Sequence, residues 1–400
     1  MIQTIVTLIV VLLAALFLGR YIWLEISNPC HGCGSRSGEC QSSCSRRTRV
    51  AIIGTQGIPA RYGGFESLVE NLVQTDAPID YTVFCSSKDM PEKLESYKGA
   101  TLRYIPLRAN GIASIPYDIL SLIRALGGYD TVLILGVSGA IFLPIFRLFS
   151  RAKVVTNIDG LEHRRQKWGT MARWFLRLSE RAAVRFSDTI ISDNKGIADY
   201  VQQQYNLRSV LIAYGGDHVL QSVALDDQIK ALDSLGVKPN EYAFALCRIE
   251  PENNCHIILE AATRSGARLL FVGNWNRSEY GRNLRAQYGE YDNITLSDPI
   301  YDLKTLFALR NNASRYIHGH SAGGTNPSLV EAMFFAREIV AYDVVYNRET
   351  TLGNALYFSD SESLATLLCQ PSAPNQKLYD IASALYTWSA IRTAYEREIR

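Results

Sequence analysis

The sequence has almost no excess charge of either sign, no short-period internal repeat and no long low-complexity tract. Its 41 Lys and Arg residues are balanced by 39 Asp and Glu residues, so the net charge is +2. This balance gives no reason to expect a nucleic-acid partner. With 400 residues and a hydrophobic fraction of 47%, the chain is large enough for about two to three domains with full cores.

The two commonest phosphate-binding motifs are absent from the first predicted strand-to-helix turn, which runs from Ile53 to Glu66. The turn is not G-x-G-x-x-G and has no Lys-[Ser/Thr] pair, which disfavours a dinucleotide-binding protein and a P-loop NTPase. It does contain Gly63-Gly64 at a predicted helix start, where unpaired backbone N–H groups favour an anion. A long connecting loop without a ligand is the alternative.

Basic residues are missing from positions 1–19, although residues 5–18 form an apolar run. A cleaved signal peptide would need a basic start, so we expect a transmembrane anchor over residues 1–26. Arginines follow this run, and the positive-inside rule then places the rest of the chain in the cytoplasm. These features predict a single-pass protein of the inner (cytoplasmic) membrane with cytoplasmic catalytic domains.

A cysteine-rich linker, residues 27–47, follows the predicted anchor. It contains four thiols, Cys30, Cys33, Cys40 and Cys44, in the pattern C-x2-C-x6-C-x3-C. Four such ligands could close a structural zinc site or ligate an iron–sulfur cluster. Against a metal, the linker has almost no apolar residue to pack around it, and juxtamembrane cysteines are also lipidation or oxidation sites.

From Arg49 onward, short β-branched runs alternate with helical patterns, which is typical of parallel sheets covered by helices. The runs form two series, which predict two doubly wound, Rossmann-like domains at residues 48–218 and 219–378. A final helical segment, residues 379–400, is a candidate to pack back on the first domain. A ligand should bind in the crevice between the domains, at the carboxyl ends of the strands.

The most informative segment is Tyr316–Ala336, YIHGHSAGGTNPSLVEAMFFA. Its pattern predicts a buried strand, then a loop of small residues, then a helix that has Asn326 as its N-cap and Pro327 as its first residue. Gly323-Gly324 allows close backbone approach of a phosphate, and Glu331, about one turn into the helix, could accept hydrogen bonds from hydroxyl groups. The combination fits a nucleotide-sugar, and a simple strand-to-helix turn is the alternative.

A candidate cation follows the first predicted strand of the second domain, in Cys247-Arg248-Ile249-Glu250-Pro251-Glu252-Asn253-Asn254. Arg248 offers a fixed fork for a diphosphate, and its charge would stabilise a departing nucleoside diphosphate. A surface arginine paired with Glu250 or Glu252 is the alternative.

Four motifs occur in an order that resembles GT-B glycosyltransferases of family 4: Gly63–Glu66, Tyr214–Asp217, Arg248–Glu252 and Gly323–Met333. More closely, residues 48–390 look like the bacterial DUF1972-type rhamnosyltransferase subgroup. The resemblance implies that Arg248 contacts the donor diphosphate and Glu331 the ribose. It also implies a donor-binding role for Gly63 and Gly64, and for the backbone of Gly324, Thr325 and Asn326.

The chain departs from the general family pattern at two positions. Asn253 stands where the family has a Lys, and Gly323 stands where it has a Glu, which leaves the donor sugar open. The resemblance further implies retention of anomeric configuration by front-face displacement, in which the donor phosphate takes the acceptor proton. No protein nucleophile and no metal cofactor is then required.

Acceptor-side candidates lie in Asn157–Arg165, after the predicted strand Val154–Thr156. We expect three polar groups near an acceptor hydroxyl, with Asp159 as a catalytic candidate beside Glu162 and His163. Arg164 and Arg165 could meet an acceptor pyrophosphate. Alternatively, these residues are solvated or cap a helix. His318 and His320 also have two possible roles, either to contact a sugar or to stabilise the loop.

The sequence therefore predicts a retaining glycosyltransferase that moves a sugar, with rhamnose as one candidate, from a nucleotide-sugar to a lipid-diphosphate-linked saccharide in surface polysaccharide synthesis. Two alternatives remain open. One is a nucleotide-sugar epimerase, which needs no acceptor. The other is a catalytically silent sugar-binding or scaffold subunit.

Overall fold

Two parallel sheets, one after the other along the chain, form the core of the computed structural model, which describes residues 47–60, 63–158, 160, 163 and 169–400. Both belong to one compact unit, Arg46–Arg400. We call the eight-stranded sheet with its helices the first lobe, and the six-stranded sheet with its helices the second lobe.

The first-lobe sheet has the strand order β3-β4-β2-β1-β5-β6-β7-β8, and all pairs are parallel except β3 with β4. Its strands are β1 Thr48–Ile53, β2 Ile79–Ser86, β3 Ser96–Tyr97, β4 Ala100–Ile105, β5 Thr131–Leu135, β6 Lys153–Ile158, β7 Thr189–Ser192 and β8 Val210–Leu211. Its helices are α1 Gly64–Leu72, α2 Ser114–Arg124, α3 Leu143–Phe149, α4 Thr170–Phe186 and α5 Lys195–Tyr205.

The second-lobe sheet is parallel throughout, in the order β11-β10-β9-β12-β13-β14. Its strands are β9 Ala243–Leu246, β10 Leu269–Val272, β11 Ile294–Ser297, β12 Arg315–His318, β13 Glu338–Tyr342 and β14 Leu356–Phe358. The helices from here to the end of the chain are α6 Leu225–Ser234, α7 Cys255–Ser265, α8 Glu279–Tyr288, α9 Leu303–Asn311, α10 Pro327–Met333, α11 Val345–Thr350, α12 Ser361–Leu368, α13 Gln376–Leu385 and α14 Trp388–Ile399.

The apolar runs are continuous because both faces of each sheet are covered. In β1, Val50 and Ile52 belong to the core on one face, whereas Ala51 and Ile53 belong to the core on the other. This alternation is the two-residue period of a strand, here apolar in both phases. Each lobe therefore has a three-layer arrangement.

Each sheet has a switch point, where successive connections leave in opposite directions. In the first lobe β1 lies between β2 and β5, and in the second β9 lies between β10 and β12. Ligands of doubly wound sheets bind outside the carboxyl ends of the strands at such points. The loops that follow β1, β9 and β12 contain Gly63, Arg248 and Gly323 respectively.

The chain ends in the first lobe. Trp388, Ile391, Tyr395 and Ile399 of α14 join the core around β1, β2 and α1. Asn157 Nδ2 donates to the Tyr395 hydroxyl at 2.6 Å, and Thr131 Oγ1 donates to the Ile399 carbonyl at 2.7 Å. The helical pattern of residues 379–398 is thus two helices, α13 and α14, which are separated at Tyr386-Thr387.

The predicted single-pass inner-membrane localisation requires correction. No helix in the described part of the chain is long and apolar enough to cross a bilayer. The segment from which an anchor was expected, residues 1–26, lies outside the described residues, as does the linker with Cys30, Cys33, Cys40 and Cys44.

Candidate functional site

The glycine-rich loops of the two lobes lie against each other. An ideal Cβ on Gly160, in the loop after β6, would lie 3.3 Å from the Gly323 Cα atom. At the start of α1, a Cβ on Gly64 would lie 3.5 Å from Pro327 Cγ, in the first turn of α10. The loops at the carboxyl edges of the two sheets therefore form opposite walls of one groove.

On the first-lobe wall, Glu66 holds the loop after β1. Its buried carboxylate accepts hydrogen bonds from Thr55 Oγ1 at 3.0 Å and from the Gln56 backbone N at 2.8 Å. Burial raises the pKa of Glu66, although these hydrogen bonds act in the opposite direction. Gly63 has φ of 128°, and a Cβ there would collide with Glu66 Oε2, so both geometry and space require glycine.

On the second-lobe wall, Arg248 is only loosely engaged. Its Nη1 atom lies 3.9 Å from Glu250 Oε1, beyond hydrogen-bond distance, and its side chain is 36% exposed. The surface pair with Glu250 that sequence reasoning left open thus exists, but a pair of this length and exposure contributes little. The guanidinium can turn toward a ligand without breaking a strong contact.

Asn253 joins the two loops at the switch point of the second lobe. Its Nδ2 atom donates to the Arg248 carbonyl oxygen at 2.6 Å, so its Oδ1 atom is the one that faces His320 Nδ1. His320 Nδ1 must then carry the hydrogen, because Oδ1 can only accept. The other ring nitrogen, Nε2, lies toward Gly323, whose ideal Cβ would be 3.2 Å from it.

His318, the last residue of β12, has a different environment. It is buried, its ring stacks on Tyr316 with a centroid distance of 6.1 Å, and its Nε2 atom has no hydrogen-bond partner among the described residues. Burial lowers the pKa of His318 to about 3, so the ring is neutral at physiological pH. We place His318 in the packing of the strand and not in a sugar contact.

The glycine-rich loop before α10 already holds a carboxylate of the protein itself. Asn326 caps α10 as expected, because its side chain accepts from the Ser328 backbone N at 3.1 Å. The Thr325 backbone N, however, donates to Asp193 Oδ2 at 3.0 Å, and the Thr325 hydroxyl donates to the Asp193 carbonyl. A Cβ on Gly324 would collide with the same carboxylate. Asp193 follows β7, so this contact crosses the groove.

Glu331 on α10 lies in a network that sequence reasoning did not identify. Its Oε2 atom pairs with Arg310 Nη2, and its Oε1 atom lies 3.6 Å from His218 Nε2. Trp388 Nε1 donates to His218 Nδ1 at 2.9 Å, so the neutral ring carries its hydrogen on Nε2, facing Glu331. Burial lowers the pKa of His218, although Glu331 acts in the opposite direction. The network connects Glu331 to the segment between the lobes.

His163 is the one acceptor-side candidate among the described residues. It is buried, and its Nδ1 atom lies 3.0 Å from Glu180 Oε2. Glu180 also accepts from the hydroxyls of Tyr200 at 2.8 Å and Tyr205 at 2.5 Å. Burial acts to raise the pKa of Glu180, but these three partners together hold it below its ordinary value. His163 is therefore held against the middle of α4 in this structure.

The other acceptor-side candidates, Asp159, Glu162, Arg164 and Arg165, lie outside the described residues. Within the described ranges, no group of three or more His, Cys, Asp or Glu side chains could hold a metal ion. The cysteines there are all free, although Cys247 Sγ and Cys255 Sγ lie 3.8 Å apart on either side of Arg248–Asn254.

Comparisons with known proteins agree with this architecture. The first lobe matches, over residues 47–217, the family described as a domain of unknown function, DUF1972. No curated protein sequence matches the chain. The DUF1972 part of the sequence resemblance is therefore confirmed for the first lobe.

Several solved structures share the fold across both lobes. A sucrose-phosphate synthase from Thermosynechococcus elongatus superposes with a TM-score of 0.71 at 16% identity, covering 88% of this chain and 98% of that one. HepE of Anabaena, in complex with UDP, gives 0.69 at 15% identity, with coverage of 88% and 98%. The catalytic domain of starch synthase IV from Arabidopsis thaliana, bound to ADP and acarbose, gives 0.64 at 11% identity, with coverage of 89% and 99%. The expected GT-B-like α/β fold is thus confirmed.

Proposed function

We propose that this chain is a glycosyltransferase that takes its sugar from a nucleotide-sugar bound in the groove between the lobes. The observation that carries the proposal is the placement of Arg248 and the Gly323 loop at the second-lobe switch point, where Asn253 joins them. The Gly63-Gly64 loop supplies the opposite wall. Two structures of similar fold, HepE of Anabaena with UDP and with UDP-glucose, support the choice of donor class.

In this proposal the protein acts mainly by electrostatics and positioning. Arg248 turns from its long contact with Glu250 toward the diphosphate, where its two parallel N–H groups match the phosphate oxygens. It thereby stabilises the negative charge that develops on the leaving nucleoside diphosphate. Glu331, held by Arg310 through Oε2, offers Oε1 to the ribose hydroxyls.

The acceptor is proposed to be a lipid-diphosphate-linked saccharide, with Asp159, Glu162, Arg164 and Arg165 facing it. Transfer retains anomeric configuration, since a front-face displacement lets the donor phosphate accept the acceptor proton and needs no protein nucleophile. Rhamnose is our candidate sugar, and surface polysaccharide synthesis is the proposed setting. Closure of the groove excludes water from the reaction.

The test begins with a panel of nucleotide-sugars that differ in base and sugar, scored by the rise in melting temperature. The best donor is then incubated with a polyprenyl-diphosphate saccharide, and the product's anomeric configuration is read by NMR. We expect transfer only when both substrates are present. Conversion of the donor sugar without an acceptor would instead identify an epimerase, and binding without turnover a silent subunit.

The role of Arg248 is tested by the variant Arg248→Ala. We expect turnover to fall by at least about 100-fold, as for the loss of another preorganised electrostatic stabiliser. Arg282→Ala, in the exposed face of α8 of the same lobe, is the matched control and should leave turnover unchanged. Wild-type turnover in a folded Arg248→Ala variant would remove this residue from the mechanism.

A further inference from the structure

The helix α4 of the first lobe has an unusual outer face. Met171 is 84% exposed and Trp174 66% exposed, and Leu178 is also exposed. These three residues follow each other at spacings of three and four, so they form one apolar stripe along the helix. Isolated apolar residues on a surface are ordinary, but an exposed tryptophan within an apolar stripe is typical of an interaction surface.

A basic stripe runs beside the apolar one. Arg173, Arg177 and Arg181 are spaced by four residues and are exposed, and Arg185 continues the exposed basic side chains toward the helix end. None of the four forms an ion pair among the described residues. The acidic residue of the helix, Glu180, is buried and is held by His163 and two tyrosines.

The apolar surface continues onto α3. Arg147 Nε donates to the Phe186 carbonyl at 2.8 Å, which brings the carboxyl ends of α3 and α4 together. There Leu148 is 77% exposed, and Phe149 and Phe186 are also exposed. Exposed apolar side chains are therefore present on both of these neighbouring helices.

We propose that this face of α3 and α4 docks on an anionic lipid surface. A helix with an exposed Trp and Leu stripe and a flanking row of arginines lies in the plane of a membrane interface, with its apolar side chains among the acyl chains and its cations among the headgroups. The long arginine side chains reach from the helix to the phosphates while their methylene stems cover apolar surface. This inference concerns a docking face and does not depend on the proposed function.

Two other occupants fit the charge less well. A symmetric contact between two copies would bring the arginine rows of both chains into one interface, and like charges repel. The chain's own residues 1–46 contain only Glu25 and Glu39 as acids, which is too few to pair with four arginines. An anionic lipid surface can bind the arginines through its headgroups and the apolar side chains through its acyl chains.

The test is co-sedimentation of the full chain with phosphatidylcholine vesicles, with and without phosphatidylglycerol. We compare wild type with Met171→Gln/Trp174→Gln, which removes the apolar contact, and with Arg173→Glu/Arg177→Glu, which reverses the charge. Leu225→Gln on α6, at a site 67% exposed, and Arg397→Glu on α14 are the matched controls. All substituted side chains are exposed, so the variants should fold.

We expect wild type to bind the anionic vesicles more tightly than the neutral ones. Both α4 variants should bind the anionic vesicles at least about tenfold more weakly than wild type, and the control variants should bind them as tightly as wild type. Wild-type binding by the α4 variants, or indifference to lipid charge, would overturn the proposal. So would self-association in sedimentation velocity that the α4 variants abolish. Melting-temperature shifts with nucleotide-sugars report on the donor groove separately, so failure of one proposal is distinguishable from failure of the other.

Discussion

Asn253 offers the sharpest test of how the proposed donor groove is built. Its amide bonds to the Arg248 carbonyl and to the His320 ring, and so holds together the loops that follow β9 and β12. The substitution Asn253→Ala removes both hydrogen bonds at once. It leaves a backbone carbonyl and a ring N–H without their protein partner, and it frees the loop that carries Arg248.

The size of the effect follows from these two groups. A buried polar group left without a partner costs about 1–3 kcal/mol, so the two together lower the free energy of unfolding by about 2–6 kcal/mol. The loss of one well-placed charge-assisted contact from Arg248 to a phosphate weakens donor binding by about 1.5–3 kcal/mol, which is roughly 10- to 150-fold. Stability and affinity should therefore both fall.

The matched control is Asn293→Ala. Asn293 is partly buried, and its Nδ2 atom also donates two hydrogen bonds, at 2.9 Å each, to the carbonyls of Ala262 and Ala267. Its loss should lower stability because two backbone carbonyls lose a partner. Asn293 directly precedes β11, at the edge of the sheet away from the loops that follow β9 and β12, so donor affinity should change little.

The assays are urea unfolding for stability and titration calorimetry with the nucleoside diphosphate of the best donor. We expect both variants to be destabilised and only Asn253→Ala to lose affinity. Equal losses of affinity in both variants would mean that general loosening explains the effect. Unchanged affinity in Asn253→Ala would refute the claim that this amide positions the donor site.

Three further predictions concern other groups of the structure. Burial raises the pKa of Asp118 to about 8, so the native state keeps a proton that the unfolded chain releases near pH 4, and stability falls as pH rises between these values. From pH 5 to pH 7 the free energy of unfolding of the wild type should fall by about 2–3 kcal/mol more than that of Asp118→Asn. The same pH dependence in both proteins would contradict this. Arg310→Met should lower the free energy of unfolding in urea by about 3–5 kcal/mol, because it leaves Glu331 without its buried partner. Adding Glu331→Gln should restore part of this free energy, and additive losses from the two substitutions would argue against the pair. Asp193→Ala should tighten nucleoside-diphosphate binding by roughly fivefold in calorimetry, because it frees the Thr325 backbone N–H and removes a carboxylate that repels phosphate. Weaker binding would show that Asp193 supports the site.

Much of the fold could be predicted because its signals are local. The five residues of β5, TVLIL, are all buried, and such runs alternate with helical patterns along both lobes. The strand β3 was missed because two residues are too few to show the hydrophobic alternation of a strand. The break between α13 and α14 was missed because Tyr386-Thr387 lies inside a continuous helical pattern.

The partners in the groove could not be predicted because they are distant in sequence. Asp193 and Thr325 are 132 residues apart, Asn253 and His320 are 67 apart, and Trp388 and His218 are 170 apart. Neither spacing nor propensity indicates such pairs before the sheets are assembled. The motifs around Arg248 and Glu331 located the groove, and only the structure gave the side chains that hold them.

The position of α14 has a consequence for how the protein is made. Thr131 bonds to the carbonyl of Ile399, 268 residues later. The first lobe therefore leaves the ribosome with part of its interior uncovered, and this part stays uncovered until α14 has been synthesised. A chain shortened by one helix would lose hydrophobic cover from the half that was synthesised first.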